Sequence, residues 1–183
     1  MSTDLAYHCL QDMEQRLRSL KGLADRALAQ VKDEELFTSI DDVSNSVAVL
    51  MKHMAGNMVH NWTYTFAPDE EKPVRDREGE FEAGEDTRDA IFRLWEEGWS
   101  VLLDAVTGFT EADLERRVIA RWREYTLIES LNRQLVHYAQ HVGQIIFLAK
   151  HLRGEEWESL SIPRGQSEAY TERMRRERHP DAN

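Results

Sequence analysis

The chain predicts an all-helical fold, a four-helix bundle with a long loop between the second and third helices. Three observations carry that prediction. Apolar residues recur at steps of three and four over four separate stretches, which places them on one face of a helix. All four prolines, Pro68, Pro73, Pro163 and Pro180, fall outside those stretches. Strand-like alternation is confined to a short segment around residues 117–125, so the stripes have mainly one another to bury against.

Taken in order, the first helix runs over residues 4–31. Its stripe is Leu5, Cys9, Met13, Leu17, Leu20, Leu23, Ala24, Leu28 and Val31, with Gly22 as a point of loosening. The second begins near Ser39, a capping residue with Asp42 three positions on, and carries Val43, Val47, Leu50, Met54, Met58 and Trp62 to about Phe66. Residues 68–86 hold Pro73, Gly79, Gly84 and much charge without an apolar period. A loop of that length inside a domain reads as a lid or binding loop. The third helix starts near Thr87 and buries Ile91, Leu94, Trp95, Gly98, Leu102 and Val106. Thr110 and Asp113 form a capping box for a short helix, and residues 117–125 make a small hairpin or an extended connector. A second capping box, Thr126 with Glu129, opens a fourth helix that reaches His151 and stops before Gly154. Beyond Trp157 the pattern is irregular, then helical again. Residues 1–170 are expected to form a single domain and 171–183 a basic tail.

The charge balance narrows the partners. With 23 basic and 34 acidic side chains the formal charge is -11, which repels a phosphate backbone and argues against nucleic acid. The one basic run, Arg173, Arg175, Arg176 and Arg178, reads as a solvated helix end. No stretch approaches the ~18 apolar residues of a membrane span, and Cys9, the only cysteine, has no partner for a disulfide. A cytoplasmic location is expected, with no membrane partner; association as a homodimer is left open.

The fourth helix holds the anomaly. Leu131, Leu135, Tyr138, Val142, Ile145 and Ala149 form its core stripe. Beside it, at the same spacing, run Gln134, His137, His141, Gln144 and Leu148. Imidazoles on a partly buried face must be satisfied, and two of them at i and i+4 can bind one metal ion. The same spacing also suits two histidines that simply hydrogen-bond across a helix interface. A third nitrogen would come from the second helix. There His53 stands next to Met54 of the apolar stripe, and His60 is the other histidine on that helix. His53 is preferred because Gly56 and Asn57 follow it, giving close helix approach and a supporting amide.

At these residues the chain resembles the DinB-like superfamily of bacterial metal-binding four-helix bundles, and within it the subgroup DUF1572. The resemblance rests on His53-Met-Ala-Gly-Asn57, Glu71-Lys-Pro, Arg75-Asp-Arg-Glu-Gly-Glu-Phe81, Trp95-Glu-Glu-Gly-Trp99, the segment 133–144 around His137 and His141, and the segment 157–167. It implies a three-histidine site of His53, His137 and His141 for a divalent ion, zinc or nickel. Asn57, Gln134 and Gln144 are the candidates for supporting those ligands. The superfamily includes metal-dependent thiol transferases; the subgroup carries no known activity.

Three neutral imidazoles leave a metal ion an open position, the arrangement of catalytic rather than structural zinc. Transfer of a low-molecular-weight thiol or hydrolysis of a small-molecule substrate follows as the expectation. The alternative is a metal-bearing binding or sensing module without turnover. Arg75, Arg77 and Glu80 are the candidate substrate contacts. Phe81 and Val74 would anchor the loop as a gate over the metal, with Arg164 and Ser161 as further anion-binding candidates.

Overall fold

A computed structural model describes residues 3–72, 75–81 and 86–178. Val74 and His179 lie outside the described residues. The described chain is mostly helical: α1 (Thr3–Leu28), α2 (Asp33–Leu36), α3 (Val47–Thr63), α4 (Arg88–Gly108), α5 (Leu127–Arg153) and α6 (Ser167–Arg178). Between α4 and α5 lies a two-stranded antiparallel hairpin, β1 (Arg117–Ala120) with β2 (Arg123–Thr126), so the segment is a hairpin and not a connector. No helix among the described residues is long and apolar enough to cross a membrane.

The four long helices share one apolar core. Among the long helices, α3 packs chiefly on α4 and less on α5, and α1 packs on α5 and α4. Trp95, Trp99, Leu102, Met51, Met54, Met58, Tyr138 and Ile145 are fully buried at the centre. Trp95 and Trp99 meet edge to face at 5.6 Å between ring centroids, and the Trp95 indole donates to Asp25 Oδ1 at 3.0 Å.

Local chemistry sets the element ends, sometimes against the expectation from sequence. α3 does not begin near Ser39. Asp41 Oδ1 accepts the backbone N–H groups of Val43 and Ser44, which ties residues 41–44 into a turn. The cap passes to Ser46, whose hydroxyl accepts from Val49 N, and Val43 is left 92 % exposed rather than on the stripe. In α1 the buried face is Ala6, Leu10, Met13 and Leu17; Leu5 and Cys9 stand one residue, about 100°, behind it. The helix runs unbroken through Gly22. In α4, Leu94 faces outward and Trp99 takes the core position.

Both expected capping boxes form, Thr110 with Asp113 and Thr126 with Glu129. α5 ends at Gly154, whose φ of 54° terminates the helix, and Arg153 reaches back to Glu35 in α2 at 3.0 Å. Gly98 serves close approach. A Cβ there would lie 2.8 Å from the Ala55 Cα, so α3 and α4 touch backbone to backbone two residues from His53.

Candidate metal centre

His137 and His141 are one turn apart on α5, on the half-buried flank beside its core stripe, and His53 faces them from α3. Among the described residues these three form a group whose ligand atoms all lie within 4.8 Å of one another. The Nε2 atoms converge: His53 to His137 is 3.4 Å and His141 to His137 is 3.1 Å. Nitrogens bound at 2.0–2.1 Å to a shared ion, at angles between right and tetrahedral, sit roughly 2.9–3.4 Å apart. The observed spacings fall in that interval. His60 is on the same helix and lines the same pocket but is outside the group.

The far nitrogens fix the tautomers. His53 Nδ1 faces the Glu80 carboxylate at 3.2 Å, and a carboxylate only accepts, so the proton sits on Nδ1. His141 Nδ1 faces Gln144 Oε1 at 2.8 Å, with the same consequence. Both Nε2 lone pairs are therefore aimed at His137 Nε2, which can donate to only one of them. His137 Nδ1 is buried and makes no hydrogen bond. A cation among the three Nε2 atoms would satisfy every lone pair at once.

Burial pushes the His137 pKa down to about 4, helped by the neighbouring imidazoles and by Arg133 and Arg75. Burial also lowers that of His141, against the bond to Gln144. Without metal, the folded chain then binds fewer protons than the unfolded chain between pH 6.5 and about 4, and its stability rises with pH across that window. The metal-free protein should melt at progressively lower temperature as pH falls from 6.5, and His137→Gln should flatten the slope. Thermal melts across the range check this; an unchanged slope in the variant would exclude His137 as its source.

Glu80 has a different place from the one expected. It does not line the pocket but lies behind His53, gripped by Arg75 through Nε at 2.6 Å and Nη2 at 2.5 Å. Burial opposes its charge, yet the bonds from His53 and Arg75 win and hold its pKa low. Arg75 Nη2 also donates to the His53 carbonyl at 3.0 Å. Gly56 makes room for this arrangement: a Cβ there would fall on the Glu80 carboxylate, so its use is loop docking, while Gly98 provides the helix approach. Phe81 stacks on the His53 ring at 4.8 Å. The loop is strapped further by Lys72 to the Ile119 carbonyl and by Lys52 to Asp86.

Of the other sequence candidates, Gln134 is buried and lines the pocket with its Oε1 unpartnered. Asn57 accepts from the Tyr138 hydroxyl at 3.0 Å and also lines the pocket. Arg77 lines it from the loop, whereas Arg164 and Ser161 lie elsewhere, Ser161 beside α6 in a separate cavity. The sequence reading missed Arg121 and Arg133, which both line the pocket. Arg133 carried a signal, being four residues before His137 on the same helix face. Comparison with curated proteins returns no match. A family model described as protein of unknown function, DUF1572, matches residues 4–166, and the chain belongs to that family.

Proposed function

We propose that His53, His137 and His141 hold one divalent metal ion, zinc or nickel, in a four-helix bundle of the DinB-like type. The proposed activity is metal-dependent thiol transfer or hydrolysis on a small molecule. The observation that carries the reading is the convergence of three Nε2 atoms whose outer nitrogens are, for two of them, already committed to Glu80 and Gln144. Bound by three neutral imidazoles, the ion keeps its double charge and an open position from which to act as a Lewis acid on a thiol or water.

The chain's own groups define the rest. Glu80 holds the His53 ring and its tautomer, and Arg75 holds Glu80. The pocket of about 570 Å³ adjoining His53 and His137 is large enough for a small molecule.

Elemental analysis of protein purified without a histidine tag tests the reading. About one divalent ion per chain is expected, lost in His137→Ala/His141→Ala. Equal metal in the double variant and the parent, or none in the parent, would sink it. Turnover of a generic electrophile that depends on added thiol then separates a transferase from a binding module.

A further inference from the structure

We propose that the pocket beside the three histidines takes a small molecule bearing a multiply charged oxyanion, a phosphate or paired carboxylates, cradled by Arg77, Arg121 and Arg133. The inference deepens the metal reading by naming the substrate class. It rests on that reading only for where the reactive end sits, since the cradle is a property of the arginines.

The three arginines reach one cavity from three elements: Arg77 from the loop, Arg121 from the tip of the β1–β2 hairpin and Arg133 from α5. This gathering occurs in a chain of formal charge -11. Yet among the described residues none of the three guanidinium groups makes an ion pair. Arg133 lies over the Tyr125 ring at 5.3 Å, which orients the guanidinium without neutralising it. Glu80 lies outside the pocket, committed to Arg75 and His53, and the carboxylate on the pocket wall, Glu78, is exposed like Arg121 and Arg133 and pairs with none of the three. Burial, then Arg121 and Arg75, lower the Arg77 pKa against the opposing pull of Glu80, and an anion would relieve the repulsion. Guanidinium forks match the oxygens of phosphate and carboxylate. Phe81, Ala120 and Val136 supply an apolar wall for the remainder of the molecule.

The hairpin turn points the same way. Arg121 and Trp122, its two central residues, have φ of 53° and 62°. Two positive φ angles mark the type I′ turn, where Asn-Gly is the favoured pair and other side chains are strained. A guanidinium is thus kept at a position where asparagine would suit the backbone better.

The test uses protein dialysed free of metal and chelator, titrated calorimetrically with inorganic phosphate and, separately, with succinate. At least one anion should bind, and which one does identifies the group as phosphate or carboxylate. Arg121→Asn should weaken binding roughly tenfold or more while the melting temperature holds or rises. Arg77→Gln and Arg133→Gln should weaken it similarly, and Arg176→Gln in α6 should not change it. Binding of neither anion, or equal binding by all variants, would overturn the proposal. Failure of the metal reading would leave these titrations as they are, so the two ideas fail separately.

Discussion

Replacing Glu80 with alanine is expected to weaken metal binding roughly 10–100-fold, with all three imidazoles still in place. Among the described residues Glu80 is the partner of His53 Nδ1, and it fixes both the ring orientation and the tautomer that leaves Nε2 free. Its removal also strands Arg75, whose side chain is only 7 % exposed, beside the His53 carbonyl. Losing one member of such a buried pair costs about 3 kcal/mol, so the melting temperature should fall as well. Glu80→Gln separates the two effects. It retains an acceptor for His53 but gives up the charge that answers Arg75, so metal affinity should recover more than stability. Competition against a chromophoric chelator, with melts alongside, reads both quantities. Unchanged metal affinity in Glu80→Ala would reduce the carboxylate to a clasp for the loop.

Gly98→Val should cost a comparable amount of stability, about 3 kcal/mol, the upper part of the range for overpacking a core. In a chain of this size that lowers the melting temperature by roughly 10 °C. No rotamer avoids the clash, because the Cβ itself meets the Ala55 backbone. The only relief is separation of α3 from α4, and α3 carries His53 two residues from Ala55. Metal affinity should drop in parallel, though nothing in α4 is a ligand. Gly143→Val is the matched control: it makes the same change in α5, where a Cβ would meet nothing within 4 Å. If the two variants melt alike, the α3–α4 contact is not the constraint described.

Helical periodicity made the histidines legible. His137 and His141 lie on a face that the neighbouring core stripe orients, and His53 sits beside Met54 on α3, so local spacing was enough to bring them to a common interface. The role of Glu80 could not be read that way. Its contact with His53 spans 27 residues of chain and comes from a loop without a repeating pattern, so no spacing rule reaches it. Gly56 was visible but ambiguous, because a helical glycine admits a second helix or a loop side chain equally well. The false start of α3 at Ser39 arose from competition between two local solutions, an Asp41 turn and a Ser46 cap, that use the same residue types. Arg121 was hidden by its own oddity: without Asn or Gly at its centre the two-residue turn gave no usual signal.

Ionic radius enters through Tyr138. Its buried hydroxyl accepts from Trp62 Nε1 at 2.9 Å and donates to Asn57, and both partners belong to α3. Tyr138 itself is the residue after His137 on α5. Two directed bonds at one atom leave little freedom for α5 to slide along or away from α3, so the gap between His53 and the other two imidazoles has a nearly fixed width. A gap of fixed width works as a gauge. If the three histidines hold an ion as proposed, one whose bonds to nitrogen run much beyond about 2.1 Å would have to spread the helices and stretch both hydrogen bonds. Discrimination between a small first-row cation and a larger one would then reside in a phenol that never touches the metal.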